Sequence, residues 1–253
     1  MLNFYSTLSS EVYSLDKPIG HSFGDVEYYT ERLSKSKGPI LEPAVGTGRI
    51  LIPLLEKGFQ VDGFDLSEEM LAICRRNLEE RNLSATLFKG EMESYQSNKK
   101  YGAVIIPTGS FLLLHEREKS IKALTNFYDH LEEGGRLIVD LFLPSDLHVG
   151  HVSTRTWEKF NGDVITLETK TIEVDRINQY FISLNRYELW QKGRLELTEL
   201  EQFCLRWYGV EEFILLLKEI GFTSVVLSSD YEYGKFPEKD TQSITYEAIK
   251  GGE

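Results

Sequence analysis

A chain of 253 residues with 41% hydrophobic and 27% charged side chains can bury one sizeable core without disulfide staples, which excludes a disordered chain and a fibre. Its 28 Lys and Arg against 40 Asp and Glu leave a net charge of -12, a field that repels a phosphate backbone and makes nucleic acid an unexpected partner. No stretch approaches the roughly 20 apolar residues of a membrane span. Cys74 and Cys204 are too few for a disulfide framework, and residues 1–13 hold no basic residue ahead of an apolar core, so a cytoplasmic chain with no membrane partner is expected.

In chain order, an aromatic N-terminal region leads to a helical stretch over residues 25–36 that stops at Gly38-Pro39. A short apolar run at 39–43, a helix over 47–57 and a second run at 60–65 follow. Ser67 is the N-cap of a helix running to Arg81, its first turn carrying Glu68 and Glu69 where carboxylates suit the positive end. Residues 85–89 and the continuous apolar run 103–106 predict a third and a fourth strand, the latter buried on both faces. Ile121, Leu124, Phe127, Tyr128 and Leu131 recur at helical spacing, and Gly134-Gly135 predicts the end of that helix before a fifth strand at 136–143. Beyond Pro144, four long runs rich in Thr, Val, Ile, Tyr and Trp predict antiparallel hairpins. A helix over 210–220 and a strand pair at 224–230 and 243–250 complete the chain.

Strand and helix alternate in the pattern of a doubly wound sheet. The expected fold is α/β: a Rossmann-like, doubly wound, mostly parallel seven-stranded sheet with an antiparallel β insertion after the fifth strand. The expected divisions are residues 1–149 for the N-terminal helices and ligand-binding core, 150–207 for an insertion covering the substrate site, and 208–253 for the last helix and strand pair.

The segment from Ile40 to Ile50 carries the chemistry. Gly46 and Gly48 let backbone approach a ligand at a strand end, where a new helix presents free N–H groups. Asp65 ends the second run, where a carboxylate accepts both hydroxyls of a ribose. A dinucleotide fingerprint requires a third glycine, and Leu51 stands there instead. Glu42 adds negative charge where a pyrophosphate would sit, and suits a cationic amino-acid head. The pattern asks for a nucleoside with positive charge and no phosphate.

On these residues the chain resembles the class I S-adenosylmethionine-dependent methyltransferases from Gly38 to Leu143. Glu42, Gly46 and Gly48 match the family's first motif, Asp65 in Gly63-Phe64-Asp65-Leu66-Ser67 the second, and Gly90-Glu91-Met92 the third. The resemblance implies S-adenosylmethionine as cofactor. It implies contacts from Glu42, Ala44, Gly46 and Gly48, from Asp65 and Leu66, from Glu91 and Met92 beside the adenine, and from Pro107 beside the methionine part. The late hairpins resemble those of small-molecule methyltransferases, with enzymes acting on amino sugars the nearest.

Methyl transfer needs a nucleophile held in line and kept dry, so a dedicated catalytic side chain is optional. An amine acceptor still has to lose a proton, and the candidates are His115, Tyr13 and Tyr208. Tyr13, Tyr28 and Tyr29 suit a lid over a sulfonium, or a packing role for the N-terminal helices. Arg206, Trp207 and Tyr208 suit either a substrate wall or an aromatic hinge in the core. His148 and His151 lack the further ligands of a zinc site, and no metal is expected. Both cysteines read as core fillers. The leading expectation is a methyltransferase acting on a small-molecule amine, with pairing of two copies through exposed insertion strands. The alternatives are a non-catalytic nucleoside-binding protein, a methyltransferase acting on a macromolecule, and a nicotinamide-dependent oxidoreductase, which Leu51 disfavours.

Overall fold

A computed structural model describes residues 5–145 and 147–251. Two N-terminal helices, α1 (Thr7–Asp16) and α2 (Asp25–Leu33), precede β1 (Ile40–Pro43), α3 (Leu51–Glu56), β2 (Val61–Asp65), α4 (Glu68–Glu79), β3 (Leu87–Lys89), β4 (Tyr101–Ile106), α5 (Arg117–His130) and β5 (Leu131–Leu141). Four long strands follow: β6 (Val152–Glu158), β7 (Val164–Asp175), β8 (Tyr180–Gln191) and β9 (Arg194–Arg206). Then come α6 (Val210–Ile220), β10 (Phe222–Ser229), β11 (Glu232–Tyr233) and β12 (Ile244–Lys250).

The first sheet has the order β11-β10-β12-β5-β4-β1-β2-β3. Strands β1 to β5 pair in parallel, while β12 runs antiparallel between β5 and β10. The seven expected strands are all present, and the two-residue β11 adds an eighth at the edge. Every residue of β1 and β4 is buried, as apolar runs covered by helices on both faces require. One core, around Phe111, Phe127, Phe213 and Tyr246, lies under α5 and α6. The other, around Tyr29, Leu33, Leu51, Leu54 and Leu71, lies under α2, α3 and α4.

Strands β6 to β9 form a separate four-stranded antiparallel sheet in simple meander order. Helix α1 bridges the two sheets. Its Leu8 and Val12 pack on Ile165 and Tyr187 of the insertion. Its N-terminus has no cap from Ser6; instead Glu199 Oε2 on β9 accepts from the Leu8 amide at 2.8 Å and from the Ser6 hydroxyl at 2.6 Å. A carboxylate there satisfies free N–H groups and suits the helix dipole.

Two local expectations change. Helix α5 does not end at Gly134-Gly135, because β5 begins directly at Leu131. Tyr101 pairs with Leu131 and Ala103 with Arg136, so the glycines fill a bulge within the strand. The helix containing Pro53 begins at Leu51 rather than at residue 47. Pro53 therefore falls in its first turn, where a missing N–H costs little and no kink is needed.

Candidate active site

Four strand exits converge on one end of the parallel sheet. After β1, Ala44 at φ 53°, Gly46 at φ 55° and Gly48 at φ 86° form the turn. The Val45 amide bonds to Phe64 O at 3.0 Å and the Ile52 amide to Gly48 O at 2.9 Å, which ties the turn to β2 and to the start of α3. A Cβ on Gly48 would stand 2.8 Å from Cys74 Sγ and 3.1 Å from Ile52 Cδ1, so only glycine lets the turn pack this closely on α4. Ala44 holds a left-handed conformation that costs a non-glycine residue about 1–2 kcal/mol.

Asp65, at the exit of β2, ties two turns together. Its Oδ2 accepts from the Gly46 amide at 2.8 Å and its Oδ1 from the Ser67 amide at 2.9 Å. Burial raises its pKa, and those amides partly offset the shift. Each oxygen keeps lone pairs for a further donor, as ribose hydroxyls are.

Glu42 lies beneath the turn, 3% exposed, and its Oε2 has no hydrogen-bond partner. Burial pushes its carboxyl well above the usual range; Arg49 opposes this, while Asp65 and Asp25 add to it. The Arg49 guanidinium is already engaged by Asp25, both side chains being buried. Thr47 Oγ1 and Arg49 Nε are likewise buried and unpartnered. Three orphaned polar atoms, one from the end of β1 and two from the turn after it, fit a ligand that brings its own charges, and an α-amino acid head supplies both signs.

A cavity of about 360 Å³ runs along these exits. Tyr5, Tyr13, Ala44 and Gly46 border one end, Asp65, Leu66 and Ser67 the middle, and Gly90, Glu91 and Met92 the far side. Ser110, Leu113, Leu114 and His115, from the turn between β4 and α5, close it opposite. The walls are mostly apolar, with Phe64, Leu66 and Met92 offering flat contact to an aromatic base.

Of the sequence-predicted residues, Ala44, Gly46, Asp65, Leu66, Glu91, Met92, Tyr13 and His115 line this cavity. Glu42 and Gly48 sit behind the turn and shape it. Pro107 is buried at the exit of β4, its carbonyl accepting from the Ser110 amide at 3.2 Å. Tyr208 is corrected: it is 2% exposed, packs on Phe111 and Phe213, and its hydroxyl bonds to Ser120. It is a core side chain, away from the cavity. Tyr28 and Tyr29 are likewise core, leaving Tyr13 as the one lid candidate of the three that lines the cavity. His115 lines the cavity, its ring centroid 6.2 Å from that of Tyr180, while its carbonyl accepts from Arg206 Nε at 2.8 Å. Among the described residues no group of three His, Cys, Asp or Glu could hold a metal ion.

Sequence reasoning missed Tyr5, Ser67 and Met70, which also border the cavity. Tyr5 is held there by long-range contacts, its amide donating to Glu201 Oε1 at 2.5 Å and its carbonyl accepting from Ser67 Oγ at 2.9 Å. No local pattern announces such contacts.

Residues 40–135 match the family model described as a methyltransferase domain. The chain is 27% identical over 186 residues to dTDP-3-amino-3,6-dideoxy-alpha-D-glucopyranose N,N-dimethyltransferase of Streptomyces fradiae, covering 70% of this chain and 71% of that one. It is 29% identical over 205 residues to glycine/sarcosine N-methyltransferase of Parasynechococcus marenigrum, covering 79% and 69%. The crystal structure of the sugar N-methyltransferase KedS8 from Streptoalloteichus superposes with a TM-score of 0.76 at 18% identity, over 100% of this chain and 98% of that one, a likeness of fold. Since the turn, the cavity and the matched domain all fall on the same strands, residues 40–135 form a methyltransferase domain, and the chain acts as a methyltransferase with S-adenosylmethionine as its cofactor.

Proposed function

We propose that this enzyme moves a methyl group to the nitrogen of a small-molecule amine by in-line transfer. The observation that carries the reading is the cavity running from Ala44 and Gly46 past Asp65 to Met92, with the buried Glu42 carboxyl, one oxygen of it unpartnered, behind the turn. In this reading Asp65 accepts the ribose hydroxyls, Leu66 and Met92 flank the adenine with Glu91 at its edge, and Glu42 faces the ammonium of the methionine part. Ala44, Gly46 and Gly48 bring backbone close, and Pro107 shapes the wall beside the sulfur.

The cofactor supplies an activated methyl on a sulfonium. The chain's own work is positioning and exclusion of water, which can lower such a barrier by about 7–11 kcal/mol. His115, at the mouth, takes the proton that the acceptor amine gives up, directly or through water. Burial raises the pKa of the Tyr13 hydroxyl, so it remains a phenol at neutral pH and acts as a hydrogen-bond donor and aromatic wall rather than a base. The two relatives named above are N-methyltransferases of an amino sugar and of glycine or sarcosine, which supports a small amine as acceptor.

The insertion, residues 150–207, covers the acceptor side by way of α1. No described helix is long and apolar enough to cross a membrane; in this reading the enzyme works in the cytoplasm. Two copies pair through the insertion, whose edge strand β9 exposes Leu195, Leu197 and Leu200. Sedimentation at micromolar concentration is expected to give a dimer, and Leu197→Lys with Leu200→Lys a monomer; a wild-type monomer defeats this part.

The cofactor assignment is tested with Asp65→Asn, which keeps the side-chain shape and two acceptor sites on its carbonyl oxygen. Affinity for S-adenosylhomocysteine by calorimetry is expected to fall about tenfold, the worth of one hydrogen bond to a charged group. Unchanged affinity in a folded variant moves the ribose contact elsewhere.

A further inference from the structure

A second cavity of about 360 Å³ adjoins the first along the chain after β4: Thr108 and Gly109 line it, and Ser110 lines the first. Lys17, Phe23, Thr108, Phe142, Asp230 and Tyr231 contribute to its walls. Tyr13 is the partition: its ring borders the first cavity, its hydroxyl faces Arg49 and Thr108, and Lys17 Nζ stands 5.0 Å from its ring centroid.

Backbone at positive φ concentrates here. Among the described residues eight non-glycine positions have positive φ, and five of them line one of the two cavities: Tyr5 and Ala44 the first, Thr108, Asp230 and Tyr231 the second. Thr108 at φ 53° is β-branched, and Asp230 and Tyr231 at 48° and 65° make the two-residue link between β10 and β11. Thr108 costs about 1–3 kcal/mol and persists only where surrounding contacts hold it, whereas the positive φ pair at Asp230 and Tyr231 is that of a two-residue type I′ hairpin turn.

The charges within the second cavity are unequal in their engagement. Asp230 Oδ1 already accepts from the Gln242 and Ser243 amides at 2.9 Å each. Lys17, half-buried at the end of α1, forms no ion pair with any described residue. Its nearest carboxylates are occupied, Asp16 by Arg155 and Trp157 and Asp25 by Arg49. Burial and then Arg49 press against its positive charge, which Asp16 and Asp25 offset only in part. A half-buried cation over the Tyr13 ring, in no ion pair with a described residue, is matched by a ligand anion.

Resting on the reading above, we infer that the methyl acceptor carries an anionic group, a carboxylate or a phosphate, beside its amine, and that Lys17 receives that group while the nitrogen turns toward the Tyr13 partition. Lys17 thus selects anionic amines over their neutral counterparts.

The test pairs each anionic amine with a neutral partner, using labelled S-adenosylmethionine: glycine and sarcosine against glycinamide, glucosamine 6-phosphate against glucosamine. At least one anionic member is expected to exceed its partner by about tenfold in kcat/KM, the worth of one charge-assisted contact. The carboxylate and phosphate arms separate the two sources. Lys17→Met is expected to erase that preference, Lys17→Arg to keep it, and neither to move the Kd for S-adenosylhomocysteine. Equal or better transfer to the neutral partners, or no transfer to any member, overturns the inference. A matching loss of S-adenosylhomocysteine affinity in Lys17→Met also overturns it, by assigning Lys17 to the cofactor's carboxylate. Failure of the wild-type protein to bind S-adenosylhomocysteine strikes the methyltransferase reading itself.

Discussion

Glu42→Gln is expected to weaken S-adenosylhomocysteine binding by about a hundredfold while leaving the empty protein at least as stable as before. The two effects have one cause. The carboxyl is 3% exposed, one of its oxygens is unpartnered, and Asp65 and Asp25 add negative potential, so the ligand-free fold carries an uncompensated acid. Arg49 offsets this only in part, because that guanidinium is committed to Asp25. An amide at this position removes the ionisable group and with it the attraction for an incoming ammonium. Calorimetry for affinity and denaturant unfolding for stability measure the two sides.

A proton count separates this account from simple loss of shape. Because burial raises the Glu42 pKa in the empty protein, arrival of a cation beside it lowers that pKa, and binding at a pH below the raised value releases a proton. Affinity therefore rises with pH until Glu42 is ionised before binding. Titrations in buffers of different ionisation enthalpy are expected to show release in the wild type and less in Glu42→Gln. Equal release in both assigns the proton to another group and defeats the account.

The parallel core was legible because its signals are local. Apolar runs such as Val104 to Ile106 are buried on both faces, and α6 runs from Val210 to Ile220 between Gly209 and Gly221, as its pattern announces. Gly134-Gly135 misled because the same dipeptide serves a helix stop and a strand bulge, and only pairing with β4 distinguishes them. The grouping of Gly46, Asp65 and Glu91 on one cavity was legible for a related reason: strand exits fix where they lie. The placement of α1 was not. Helix α1 takes its cap from Glu199, 191 residues away, so nothing near Ser6 marks the helix start. Tyr208 shows the complementary limit, since an aromatic residue beside a helix reads alike as cavity wall or core until packing against Phe111 and Phe213 decides.

Asp140→Asn is expected to flatten the pH dependence of stability between about pH 4 and 6, an effect of roughly 3 kcal/mol. Asp140 is 1% exposed at the end of β5, and burial raises its pKa from 3.8 to about 6. The Thr108 amide at 2.9 Å, the Thr245 hydroxyl at 2.8 Å and the Tyr231 hydroxyl at 3.1 Å all donate to its carboxyl, which limits the rise without cancelling it. A carboxyl whose folded pKa is raised binds its proton more tightly folded than unfolded. The resulting stability is fully present below about pH 4 and is lost as pH rises through about 6, so the wild type sheds it across that window and the variant does not. Subtracting the variant's unfolding free energy from the wild type's at each pH isolates this group from the other carboxylates, and a flat difference curve defeats the assignment. The same donors place Asp140 beneath Thr108 and Tyr231, which line the second cavity at positive φ. An ionised Asp140 accepts from both more strongly than a neutral one, so the pH that weakens the fold tightens these two walls of the cavity.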